Sequence, residues 1–197
     1  MDDTYQVEYD LKYKDHHLFY KFTESHPGKT MIWSHRGGPV WGPENSMKVF
    51  QITKDNKIDG VECDIWMSKD GIPMVLHGLG EGNMSQYDGL SSDDIVFRWT
   101  REELQSKIDI GGGQVMPTLE EWFQFWQDSP DIVLWIDMKS PSPSYWDEYD
   151  VDHYMKSVAE LIEKYDAGKK TIVSSYSRRA LKKMLKAAPS DRDFKIV

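Results

Sequence analysis

Apolar positions follow two rhythms along the chain. Short β-prone runs, Met31 to Ser34, Gly60 to Met67, Ile72 to His77, Asp131 to Met138, Thr171 to Ser174 and Phe194 to Val197, alternate with stretches whose apolar residues recur every three or four positions. Such alternation predicts a parallel α/β architecture. Two helix starts are marked by Thr100-Arg-Glu-Glu103 and Thr118-Leu-Glu-Glu121. These are capping boxes, in which the Thr hydroxyl and the Glu carboxylate each satisfy a free N–H of the first turn. Val151, Tyr154, Met155, Val158, Leu161, Ile162 and Tyr165 share one face, which predicts a helix over about 150–166 with Gly168 as its C-cap. Further helices are predicted from Glu44 to about Lys54, after Pro43, and around Leu181, Met184, Leu185 and Ala188, stopped by Pro189. No internal repeat at a solenoid period is visible.

The rhythm fails in two places. Residues 1–30 carry Tyr, Phe and three histidines without clean periodicity and close on Pro27-Gly28, so they read as a lead-in segment holding at most one edge strand. Residues 78–100 hold Gly, Asn, Ser and Asp with little apolar content before Ile95-Val96-Phe97, which predicts an irregular insertion lying over a site. The remainder, 31–197, reads as one domain.

Composition narrows the classes. A chain of 197 residues suits a single domain, and 8 Trp, 10 Tyr and 7 Phe are too many for disorder. With 24 basic against 33 acidic residues the net charge is −9, which argues against nucleic acid or anionic lipid as a partner. No apolar run approaches the roughly 18 residues of a membrane span. The polar, acidic N-terminus does not resemble a signal peptide, so a soluble protein with the cytosol as default is expected. Cys63 is the single cysteine, which excludes an internal disulfide framework.

Side chains alternate along a strand, so Glu62, Asp64 and Trp66 share one face and Val61, Cys63 and Ile65 the other. Ile132, Leu134, Ile136 and Met138 form a second apolar face, leaving Asp137 and Lys139 opposite. Converging carboxylates with nothing between them would not persist. A divalent cation is one answer, and oxygen ligands without HExxH or CxxC favour Mg²⁺ or Ca²⁺ over zinc. A structural ion network with Arg or Lys is the other. His35-Arg36 and His77 stand where strands hand over to loops, the ligand-binding edge of parallel sheets, and two imidazoles can act as general acid and base across a phosphoester. Gly37-Gly38 either lets backbone N–H groups approach a phosphate or makes a plain turn. Gly111-Gly112-Gly113 lacks the Lys-Ser/Thr of a P-loop, and no GxSxG accompanies Ser174 or Ser175. Cys63 reads as core. His16, His17, His26 and His153 read as solvated or incidental, and Lys169, Lys170, Arg178, Arg179, Lys182 and Lys183 as the wet face of two helix ends.

Taken in order, His35-Arg-Gly-Gly38, Pro43-Glu-Asn-Ser46, Glu62-Cys-Asp64, Lys69-Asp-Gly-Ile-Pro-Met-Val-Leu-His77, Met116-Pro-Thr-Leu-Glu-Glu121, Asp137-Met-Lys139 and Ser174-Ser-Tyr176 resemble the glycerophosphodiester phosphodiesterases over residues 31–197. The resemblance implies a TIM-type (β/α)₈ barrel that hydrolyses glycerophosphodiesters to glycerol 3-phosphate and an alcohol with a divalent cation. By motif match it implies Glu62, Asp64 and Asp137 as metal ligands and His35 and His77 as the acid/base pair. It further implies Arg36 on the phosphate, Glu44 and Lys139 lining the pocket, and Asn45 supporting its loop. The spider-venom-type phospholipases D share this barrel, but they are disulfide-bonded and one cysteine does not match them.

Three departures from the family pattern stand out. Asp137 replaces the usual Glu and loses about 1.5 Å of reach. Gly78 follows His77 where Asp is usual. Strands counted from Met31 fill positions one to six of eight, so the barrel is expected to stop after about six strands, with open edges that a homo-oligomer would cover. Two alternatives stay open beside hydrolysis. One is a non-catalytic relative binding a phospholipid headgroup or a protein. The other is an enzyme of this fold acting on lysophospholipid or sphingolipid, with Met84, Tyr87 and Leu90 touching the acyl chain.

Overall fold

A computed structural model describes residues 17–197. Its centre is a six-stranded sheet: β1 (Trp33–Ser34), β2 (Gly60–Met67), β3 (Pro73–Val75), β4 (Val133–Met138), β5 (Thr171–Ser174) and β6 (Lys195–Ile196). The order is β1-β2-β4-β5-β6, all parallel, with β3 joined antiparallel to β2. These are staves of a (β/α) barrel, and among the described residues the barrel is not closed: β1 and β6 are its edges.

The six expected strands are present, but Ile72 to His77 does not supply a stave. Met67 and Pro73 are separated by five residues, and a parallel crossover needs a dozen or more. The chain therefore turns back at Gly71, whose φ is +82°, and pairs Met67 with Pro73 and Ile65 with Val75. Five strands, not six, run parallel. This hairpin brings His77 back beside Asp64, whose carbonyl accepts the Leu76 N–H at 3.0 Å.

Helices cover the outer face. They are α1 (Leu18–Ser25), α2 (Met47–Asp55), α3 (Arg101–Lys107), α4 (Leu119–Trp126), α5 (Val151–Lys164) and α6 (Arg178–Ala187). Both capping boxes form as expected, on α3 and α4. Between sheet and helices lies a continuous apolar core in which Trp122, Trp126, Tyr149, Tyr154 and Phe50 are the largest buried side chains. Tyr149 and Tyr154 also hold β2 from behind: the Tyr149 hydroxyl accepts the Met67 N–H at 3.1 Å and the Tyr154 hydroxyl donates to the Ile65 carbonyl at 2.7 Å.

The structure changes or sharpens four of these expectations. The described part of the lead-in holds a helix, α1, and no strand; residues 1–16 lie outside the described residues. His17 is not incidental: it is buried, its Nδ1 accepts the Phe19 N–H to start α1, and its Nε2 lies 2.9 Å from the Thr171 carbonyl. The insertion at 78–100 is packed in place, with Met84 and Val96 wholly buried, Tyr87 nearly so and Leu90 packed against the core. Core packing occupies the apolar side chains that an acyl chain would have met. Nor are the basic residues at the helix ends all wet. The Lys170 ammonium donates to the Trp126 and Ser129 carbonyls, and the Arg179 guanidinium lies 3.7 Å over the Trp146 ring. Among the described residues no helix is long and apolar enough to cross a membrane.

Candidate active site

Strand alternation delivers Glu62 and Asp64 from β2 to the same face, and parallel pairing sets Asp64 directly opposite Asp137 on β4. One carboxylate oxygen from each of the three lies within 4.8 Å of the others. Asp64 is buried, while Glu62 and Asp137 are partly so. The one-methylene deficit of Asp137 therefore does not keep its carboxylate out of the group.

The loop after β1 folds over this cluster. Gly37 sits at φ +73°, and a Cβ there would lie 2.6 Å from the Val49 side chain, so only glycine lets the loop rest on α2. Arg36 itself takes a left-handed conformation (φ 53°, ψ 31°), which turns its backbone N–H onto Glu62 at 2.8 Å. Its guanidinium donates to Glu44 at 3.0 Å, and its Nε lies 3.3 Å from Asp64 without the alignment of a hydrogen bond. Asn45, also left-handed at φ 58°, is buried and grips Asp64 twice: its amide donates to the carboxylate at 3.0 Å, and its oxygen accepts the Asp64 N–H at 3.2 Å. The loop-supporting position of Asn45 is thus seen directly.

Lys139, one step beyond β4, bridges the two aspartates, 2.8 Å from Asp64 and 2.6 Å from Asp137. The second oxygen of Asp137 accepts the Ser174 hydroxyl at 3.2 Å, and Ser174 in turn accepts the Trp135 indole N–H at 2.8 Å. Sequence reading missed this relay, although the register that makes Asp137 and Ser174 neighbours follows from two parallel strands. His35 is two-thirds exposed, with Nε2 3.9 Å from Glu62. His77 lies on the far side of the cluster, lining a cavity with Lys139. Gly78 in the next position holds φ +64°, and its missing Cβ would sit 3.3 Å from the Trp66 indole nitrogen. Burial, aided by the Arg36 and Lys139 charges, holds His77 below the ordinary imidazole value against the opposing pull of Asp64.

Four carboxylates, including Glu44, thus face two cations, Arg36 and Lys139. Lys139 is engaged with the aspartates and Arg36 with Glu44 and Asp64, so Glu62 is left with a backbone N–H and a distant imidazole. Burial, followed by the charge of Asp64, pushes Glu62 up to about 8. An under-compensated carboxylate beside two others fits a hard divalent cation, and an oxygen-only donor set suits Mg²⁺ or Ca²⁺. The structural ion network weighed as the alternative accounts for Asp64 and Asp137 but leaves Glu62 unmatched.

Comparison with known proteins is consistent with this geometry. The chain is 28% identical over 168 residues to a glycerophosphodiester phosphodiesterase of Caldanaerobacter subterraneus subsp. tengcongensis, covering 82% of this chain and 64% of the relative. A crystal structure of a putative glycerophosphodiester phosphodiesterase from Galdieria sulphuraria is 27% identical with a TM-score of 0.70, over 85% of this chain and 63% of that one. An Oleispira antarctica phosphodiesterase, solved in complex with the product sn-glycerol-3-phosphate, is 20% identical with a TM-score of 0.65 over 82% of this chain and 63% of that one, a likeness of fold. The chain therefore spans just under two thirds of the length of these relatives. The family described as Glycerophosphoryl diester phosphodiesterase matches residues 35–196, a span that takes in both histidines and all three clustered carboxylates. The chain belongs to the glycerophosphoryl diester phosphodiesterase family.

Proposed function

We propose that this chain hydrolyses glycerophosphodiesters, releasing glycerol 3-phosphate and an alcohol, at a divalent-cation site made by Glu62, Asp64 and Asp137. The observation that carries this reading is the meeting of three carboxylates within 4.8 Å at the strand ends, with Arg36, Lys139 and two histidines around them. The sn-glycerol-3-phosphate bound as product by the Oleispira antarctica phosphodiesterase supports the substrate class.

When bound, a cation there supplies positive charge that offsets the negative charge developing on the phosphoryl oxygens. Arg36, oriented by Glu44, adds a fixed guanidinium suited to a phosphate oxygen, and Lys139 bridges the two aspartates. Of His35 and His77, one accepts a proton from the attacking water as its oxygen bonds to phosphorus, and the other gives a proton to the departing alcohol oxygen as the P–O bond breaks. Asn45 anchors the loop that carries Arg36 to the strand that carries Asp64.

The test is release of glycerol 3-phosphate from glycerophosphocholine by the 197-residue chain with Mg²⁺, with Ca²⁺ and with EDTA. Release with either cation and none with EDTA is expected. A cooperatively folded, cation-binding chain that releases nothing overturns the hydrolytic reading and leaves a binding protein of this family.

A further inference from the structure

Two cavities open beside the carboxylate cluster, the first lined by Glu62 and Asp137 themselves and the second by Lys139, which binds Asp64 and Asp137, and each contains one of the histidines. The first, of about 400 Å³, is bounded by His35, Glu62, Asp137 and the indoles of Trp33 and Trp135. The second, of about 340 Å³, is bounded by His77, Trp66, Leu79, Glu81 and Lys139. Ser175 and Tyr176 line both. A phosphodiester centred on the cluster has two alcohol arms, and the two cavities are where arms on either side of its phosphorus fit.

The charges on the His77 side are unequal in what they leave available. Lys139 is engaged by Asp64 and Asp137. Glu81 is not matched: its carboxylate accepts the Ser142 backbone N–H at 2.7 Å, and among the described residues no Lys, Arg or His pairs with it. It is held in that place at some conformational expense, since its backbone is left-handed (φ 62°, ψ 14°), a region glycine takes more readily. Tyr176 stands at the mouth, 95% exposed; the Lys139 ammonium lies 5.8 Å over one face of its ring, and the opposite face is open to an occupant. A fixed carboxylate and an open aromatic face are together the chemistry that receives an ammonium group.

We propose that the His77-side cavity takes the alcohol arm of the substrate and selects one carrying an ammonium group, with Glu81 as counter-charge and Tyr176 as aromatic wall. This assignment rests on the phosphodiester reading. Glu81→Gln is the informative variant, because the amide oxygen still accepts the Ser142 N–H while the charge is gone. The full chain with Mg²⁺ is given glycerophosphocholine and glycerophosphoethanolamine, against glycerophosphoglycerol with its uncharged arm. Both kcat/KM and calorimetric Kd are read. Glu81→Gln is expected to weaken the two cationic substrates about fivefold and leave the uncharged one within about twofold. Tyr176→Leu, at a surface position that does not bear on folding, is expected to show the same selectivity. Equal change for charged and uncharged arms, or no change for either, overturns the assignment while turnover stands. If no diester is turned over, the hydrolytic reading falls, and the binding comparison alone decides: charge-selective loss on Glu81→Gln upholds the assignment and its absence overturns it.

Discussion

The two oxygens of Asp137 are held by different partners, one by the Lys139 ammonium and the other by the Ser174 hydroxyl backed by the Trp135 indole. Ligand orientation from such outer partners is commonly worth tenfold or more in cation affinity. Ser174→Ala is therefore expected to weaken Mg²⁺ or Ca²⁺ binding about tenfold in a calorimetric titration, and Ser174→Thr, which keeps a hydroxyl, to weaken it far less; equal affinity in the alanine variant would remove Ser174 from the site. The histidines are expected to act on chemistry instead. His35→Ala or His77→Ala should lower kcat by about 10²–10⁴. Because His35 is largely exposed, its variant should melt with the parent protein. Unchanged kcat at either position would end its acid/base assignment.

At the scale of elements, α3 offers a direct pH test. Its first turn is closed by Thr100 and Glu103, and hydrogen bonds from the Thr100 backbone, the Lys107 ammonium and the Thr100 hydroxyl hold Glu103 down to about 2. A carboxylate depressed on folding contributes stability above its unfolded value, and that contribution fades as pH falls through the folded one. The stability difference between the parent and Glu103→Ala should accordingly be larger at pH 6 than at pH 3 in urea melts. Thr100→Ala should cost about 1 kcal/mol near neutrality.

Capping boxes were legible in the sequence because all their parts lie within four residues. The face sharing of Glu62 with Asp64, and of Asp137 with Lys139, was legible because strand alternation is equally local. What could not be read depended on distant partners or on direction. His17 is fixed by a carbonyl 154 residues away, and Glu81 by a backbone N–H 61 residues away. The direction of β3 was legible in principle, since five residues cannot make a crossover, but a run of apolar residues alone does not show which way it points.

For the whole molecule, a cation that binds only the folded state should stabilise it. At a hundredfold excess over Kd the gain is about 2.7 kcal/mol. For a domain of this size that raises Tm by about 5–10 °C. Scanning calorimetry should show this rise with Mg²⁺ or Ca²⁺, its reversal by EDTA, and its loss in Glu62→Gln. A Tm indifferent to millimolar cation would mean the cluster holds none. Association across the β1 and β6 edges is tested by sedimentation velocity, where a species at twice the 23.0 kDa chain mass supports it and a monomer at every concentration removes it.

The hairpin that returns His77 to the level of Asp64 also sets an order in time. His35, Arg36, Glu44, Asn45, Glu62, Asp64 and His77 all come from one stretch of 43 residues, whereas Asp137 follows His77 by 60. At roughly 5–20 residues per second, synthesis leaves a gap of about 3–12 s between them. Through that interval Asp64 has its guanidinium and its amide from the same stretch, made before it. The groups that contact Asp64 from Arg36 and Asn45 are thus synthesised ahead of it, and Asp137 and Lys139 follow as the later half of the site.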